Sequence, residues 1–238
     1  DFTFYQFPSE SYWRGIFSQT PQEFRFAFKA PEMITVKRFP SHARYGSRSG
    51  LTNESFLDAS MLEDLFLAPL AAHHPRVALL IFEFGAFPKA GFAGANAFIG
   101  ALDGFLSRVK RICRYAVEIR NREFLVPDYF ACLRRHGVAH VFNAWTRMPE
   151  LAAAIRIRDA FCTDFTVTRA LLRAGRTYEQ AVAQFAPYDV IRDPNPPARR
   201  AMRALIGRAL GRNEAAYIFV NNRFEGNAPA TIEALTAP

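Results

Sequence analysis

Val77-Ala78-Leu79-Leu80-Ile81-Phe82-Glu83-Phe84 decides the fold. A run of apolar residues with no polar alternation is what a strand buried on both faces requires, and such strands belong to parallel sheets covered by helices. The run falls well short of the roughly 18 apolar residues that span a bilayer. Outward from it, short apolar runs alternate with longer amphipathic stretches. The candidate strands are Phe2–Gln6, Phe24–Lys29, Val77–Phe84, Tyr115–Arg120, Val138–Asn143, Phe165–Arg169 and Ala216–Asn221. Helical spacing of apolar residues marks Glu54–Ala72, Ala95–Ile112, Asp128–His136, Pro197–Leu210 and Pro229–Leu235.

Strand–helix alternation of this kind predicts an α/β fold with a parallel sheet. Seven strand–helix units in 238 residues fit one α/β barrel of the TIM type over residues 1–238. The first of the usual eight units is then expected upstream of Asp1. Two stretches are irregular: Arg38–Asn53, rich in Ser, Gly and Arg, and the proline-rich Pro187–Pro197.

Half of the residues are hydrophobic and 22% are charged, so a large core is within reach and disorder is not the default. Cys113, Cys132 and Cys162 are odd in number and widely spaced. That argues for reduced thiols in a cytosolic protein, against a zinc knuckle or disulfide framework. The net charge of +8, carried mostly by Arg, favours anionic partners. No phosphate loop, nucleophile elbow or dinucleotide fingerprint is present, and no cofactor is expected.

The pleat then locates a candidate site. Side chains alternate along a strand, so Tyr115, Val117 and Ile119 face the helices while Ala116, Glu118 and Arg120 take the other face. The same split sets Phe24, Phe26 and Phe28 against Arg25, Ala27 and Lys29, and Phe2 and Phe4 against Thr3 and Tyr5. Asn143, Arg169, Asn221-Asn222 and Glu83 end the remaining strands. Active sites of such barrels lie at the C-terminal strand ends. Lys29, Glu118, Arg120, Arg169 and Asn221-Asn222 are therefore expected to converge on one cationic cavity suited to phosphate or carboxylate.

In that cavity Glu118, Arg120 and Lys29 are the catalytic candidates. Glu118 is either a general acid/base or an ion-pair partner that orients Arg120. Thr3, Tyr5, Asn143, Arg169, Asn221 and Asn222 are the candidates for substrate binding. The reading is an enzyme, a hydrolase or lyase, acting on an anionic small molecule. The alternative is a DNA- or RNA-binding or endonuclease-like protein that also uses the basic, aromatic Lys37–Arg48 stretch. That stretch otherwise reads as a lid or a solvated loop. A third reading, a non-catalytic scaffold, fits if the strand-end charges are fully self-paired. Of the five histidines, His73, His74 and His136 sit at helix ends, and His140 lies among apolar neighbours. No metal site is expected from so few ligands.

At these residues the chain resembles the domain-of-unknown-function 72 family (YecE-like). The matches run in order from Asp1-Phe2-Thr3-Phe4-Tyr5 and Phe24-Arg25-Phe26-Ala27-Phe28-Lys29 through Ala116-Val117-Glu118-Ile119-Arg120 to Ala216-Tyr217-Ile218-Phe219-Val220-Asn221-Asn222. The resemblance implies a TIM-type barrel and no established reaction. A likeness to barrel endonucleases acting at abasic DNA has been proposed for the family. The chain departs from the family pattern at Asn121, where His is frequent, and at Glu83, where Gln is usual. It departs again at Arg169-Ala170-Leu171-Leu172, in place of an Arg-Leu-His-Gly-like run, which weakens any His-dependent chemistry here.

Overall fold

A computed structural model describes residues 2–88 and 90–237. The chain forms two compact units, Asp1–Ile119 and Arg120–Pro238, and its fold is α/β. The first unit holds strands β1 (Phe26–Lys29), β2 (Val77–Glu83) and β3 (Arg114–Glu118), parallel in that order. The second holds β4 (Ala139–Ala144), β5 (Phe165–Ala170) and β6 (Ala215–Val220), also parallel. Parallel neighbours need a crossover connection. The helix Ala95–Leu106 supplies one between β2 and β3, and the helix Pro196–Arg212 lies in the connection from β5 to β6.

In the first unit the outward face of the sheet is aromatic. Phe82 meets Phe105 of the covering helix with ring centroids 5.4 Å apart, and Tyr115 on the next strand at 5.5 Å. Phe26 and Phe28 stack at 5.5 Å, and Phe28 packs edge-on against Trp13 at 5.0 Å. Trp13 belongs to a helix, Glu10–Ser18, that the strand–helix reading passed over. Its signal is in the sequence: Ser9 caps the helix by accepting from the Tyr12 amide at 3.2 Å, and Trp13, Ile16 and Phe17 follow at helical spacing. The buried Arg76 closes the far end, donating to the Phe17 carbonyl at 2.8 Å and the Pro21 carbonyl at 2.7 Å.

Six strands, not seven, stand among the described residues. The expected strand Phe2–Gln6 is instead a helical turn, Phe2–Tyr5. Its side chains explain why. Phe2 stacks on Tyr12 at 4.2 Å, Thr3 donates its hydroxyl to the Lys29 carbonyl at 2.9 Å, and the Phe4 ring lies 3.9 Å from the Lys29 ammonium. Three consecutive residues engaging the same body fit a turn of helix, whereas a pleat would send alternate side chains to opposite faces. Of the seven strands expected, six are present among the described residues.

In the second unit His140 sits on the face of β4 opposite Asn143, 3% exposed, with its edge toward Phe130 and Phe142. Burial pushes its pKa down to about 3, and the Tyr129 hydroxyl lies 3.3 Å from Nδ1. The ring is therefore neutral when folded and ready to accept that proton donor. An unfolded His titrates near 6.5, so its contribution is complete above that pH and is lost as pH falls toward 3. Urea denaturation is expected to find the protein about 2 kcal/mol less stable at pH 5 than at pH 7 from this group alone. His140→Phe should remove that component.

Candidate functional site

In the first unit the strand ends gather as the pleat predicts. Register sets Lys29 beside Ile81 and Glu83 beside Glu118, so Lys29, Glu83 and Glu118 share one sheet face, opposite Phe82 and Val117. Lys29 Nζ is 3.3 Å from Glu83 Oε2, both side chains nearly buried, and Glu118 is fully buried. The cation of this cluster is thus committed to a carboxylate. With Glu118 added, the strand ends of this unit carry one amino and two carboxyl side chains; Arg120 and Arg169, the other cations expected at the strand ends, belong to the second unit.

Thr3 and Tyr5, expected on a strand face beside these residues, lie instead on the Phe2–Tyr5 turn. The Thr3 hydroxyl is used by the Lys29 carbonyl. Tyr5 is half exposed, with the Arg44 guanidinium 4.6 Å from its ring centre.

The 38–53 stretch is a fastened loop. An antiparallel bridge joins Arg38 to Thr52, the Phe39 amide donates to the Leu51 carbonyl, and Asn53 Nδ2 donates to the Met33 and Val36 carbonyls, each at 2.7 Å. Gly46 (φ 52°) and Gly50 (φ 72°) supply left-handed backbone that other residues adopt at a cost. Within it Arg44 and the Tyr45 hydroxyl both reach Glu32, at 3.3 and 2.9 Å, and Arg44 also donates to Tyr45. Burial raises the Glu32 pKa against the opposing pull of the Tyr45 hydrogen bond and the Arg44 charge. Arg48 lies over Phe39 and Lys37 over Phe92.

In the second unit Asn143 pairs in register with Arg169, so both project from the same sheet face at strand ends; they are 3% and 9% exposed. Burying a guanidinium is costly unless hydrogen-bonding groups meet it. Arg120 lies 3.8 Å over the Trp145 ring. Of Asn221 and Asn222, read as ligand-orienting, the first is a helix cap, its Oδ1 accepting from the Arg223 amide at 3.0 Å, and the second accepts through Oδ1 from the Ala228 amide at 2.8 Å. Each still has its amide nitrogen to offer.

Sequence reasoning missed a cationic clip on the loop after β5. Asp193 accepts from Arg173 at 2.7 Å and from Arg176. Burial raises the Asp193 pKa, but Arg176 and Arg173 outweigh it and hold the carboxyl below its ordinary range. The sequence signal was there, since both Arg flank Gly175, whose φ of 78° turns the chain. The three cysteines are reduced thiols; burial pushes Cys113 up to about 12 and Cys162 to about 11, which makes both poor nucleophiles.

The comparisons with known proteins agree with one another. The family described as protein of unknown function DUF72 matches residues 1–237. A DUF72 family protein of Enterococcus faecalis superposes with a TM-score of 0.66 at 13% identity, covering 99% of this chain and 81% of that one. One from Thermotoga maritima gives 0.61 at 18% identity, over 98% of this chain and 80% of that one. At such identities the likeness is one of fold. No curated protein matches the sequence.

Proposed function

Because the chain belongs to the DUF72 family, whose name supplies no reaction, we propose its role from its own residues: an enzyme acting on a phosphorylated or otherwise anionic small molecule at the C-terminal ends of the strands of a TIM-type barrel. The observation that carries this reading is the buried Arg169 beside Asn143, a planar cation and a carboxamide side by side at neighbouring strand ends. A guanidinium there offers paired donors to two oxygens of one phosphate or carboxylate, and the Asn amide adds a further donor.

The other strand ends take complementary roles. Arg120, its guanidinium carbon 3.8 Å from the Trp145 ring centre, is a second anion-binding cation. Within the first unit, the fully buried Glu118 is the acid/base candidate, with the Lys29–Glu83 ion pair on the same sheet face.

The test is calorimetry with inorganic phosphate on wild type and Arg120→Ala. The Ala variant forfeits at least the Trp145 ring contact, worth about 0.5–1 kcal/mol at a partly exposed site, and it is compared with wild type only where its circular dichroism and melting show it folded. Phosphate binding should fall at least tenfold. Equal affinity in the two proteins removes Arg120 from the site.

A further inference from the structure

The segments that follow β1 and β2 enclose a cleft of about 310 Å³ that the strand-end reading does not use. Its walls are Val36, Pro40, Phe87 and Pro88, with Thr35 in the lining and Lys37 and Arg38 also lining it. Beneath it runs an aromatic cluster: Phe87 packs against Phe92 at 5.0 Å and Phe98 at 5.4 Å, and Phe56 against Phe87 at 6.1 Å. Lys37 Nζ lies 3.5 Å from the Phe92 ring centre.

Three features bear on what the cleft would hold. Among the described residues its lining contains no carboxylate, and none pairs with Lys37 or Arg38. Two adjacent cations without an acidic partner favour an anion. Thr35 is 1% exposed and its hydroxyl has no hydrogen-bond partner, so the wall carries a buried polar group with its bonding capacity unspent. The remaining surface is mostly apolar, and the volume is at the small end of ligand sites, enough for a small ring or a short acyl chain. Crevices beyond the carboxyl ends of parallel strands are where α/β proteins commonly hold ligands.

We infer that this cleft is a second binding site, for a small amphiphilic anion: a compact apolar body, aromatic or short-chain, carrying one carboxylate or phosphate. The apolar body lies against Phe87 and the prolines, and the anionic end meets Lys37 and Arg38. This inference stands on the cleft itself and does not rest on the role assigned to Arg169.

The experiment is titration calorimetry with phenyl phosphate, benzyl alcohol and inorganic phosphate. It is run on wild type and on Lys37→Met, Thr35→Val and Ala86→Trp, the last filling the cleft from an exposed lining position. Phenyl phosphate should bind wild type at millimolar concentration or below. Its affinity should fall about tenfold in Lys37→Met, severalfold in Thr35→Val, and beyond detection in Ala86→Trp. Benzyl alcohol should bind more weakly than phenyl phosphate, and any inorganic phosphate bound at Arg169 should be indifferent to Ala86→Trp. Because the Thr35 hydroxyl makes no hydrogen bond, Thr35→Val should keep the wild-type melting temperature, which separates lost binding from lost folding. No phenyl phosphate binding, or binding untouched by Ala86→Trp, overturns the assignment. Failure of the strand-end reading would show separately, as inorganic phosphate binding insensitive to Arg120→Ala.

Discussion

Glu225→Ala is expected to destabilise the protein by roughly 3–5 kcal/mol, the range for removing one partner of a buried ion pair. Glu225 is fully buried and joins four segments of the second unit. Arg199 of the helix Pro196–Arg212 grips both carboxylate oxygens, at 3.0, 3.1 and 2.7 Å. The Thr231 hydroxyl of the helix Ala228–Thr236 donates to Oε2 at 2.8 Å, and the Asn195 amide donates to Oε1. The Glu225 carbonyl accepts from the Arg192 amide at 2.9 Å, fastening the proline-rich bend. Truncation strips three donors of their acceptor at once and leaves the Arg199 charge unanswered with its side chain only 21% exposed. Against a total stability of about 5–15 kcal/mol such a loss is severe. Urea denaturation measures it; a change under about 1 kcal/mol would mean that Arg199 finds water instead. Glu225→Gln, which keeps the volume and one acceptor, should fall between.

The second large effect is functional. Arg169→Met keeps the aliphatic stem and removes the charge and the donors. A charged hydrogen bond in a desolvated site is worth about 1.5–3 kcal/mol, so phosphate affinity should drop on the order of 10- to 100-fold. Arg169→Lys restores a point charge without the planar fork and should recover only part of the loss. Calorimetry with inorganic phosphate reads all three proteins. Full recovery by Lys would show that charge alone matters and that the bidentate geometry assigned to Arg169 is wrong.

Much of this arrangement was legible in the sequence, for a physical reason. A parallel strand buried on both faces is apolar through its middle, so the carboxylate that closes Val77–Glu83 and the one that closes Arg114–Glu118 mark where each strand ends and which face its end serves. Pleat parity then placed Glu83, Glu118 and Lys29 together, and Asn143 with Arg169. Boundaries moved by a residue or two because ladder bonds, not side chains, define them: Arg120 reads as a strand residue yet lies beyond β3.

The strand expected over Phe2–Gln6 failed because alternating aromatic and polar residues satisfy a helical turn as well as a strand when the rings find neighbours. Asn221 and Asn222 carried a double meaning. An Asn after a strand can orient a ligand, but it is also a preferred helix cap, and capping is what the Asn221 oxygen does here, while the Asn222 oxygen accepts from the Ala228 amide. Charge at the strand ends is legible only as a total. A count of Lys and Glu at strand ends gives a sum, whereas the Lys29–Glu83 contact decides how much of that charge a ligand would feel. The cleft lined by Thr35 and Phe87 left no mark in the sequence, since loops that carry no periodic pattern give no hint of how they enclose space.

The most direct test of the strand-end anion site is a difference map from crystals soaked in phosphate. It should show a tetrahedral peak within about 3 Å of the Arg169 guanidinium nitrogens and the Asn143 amide. Clear density for Arg169 with no anion against it, or phosphate confined to exposed arginines such as Arg44, would contradict it.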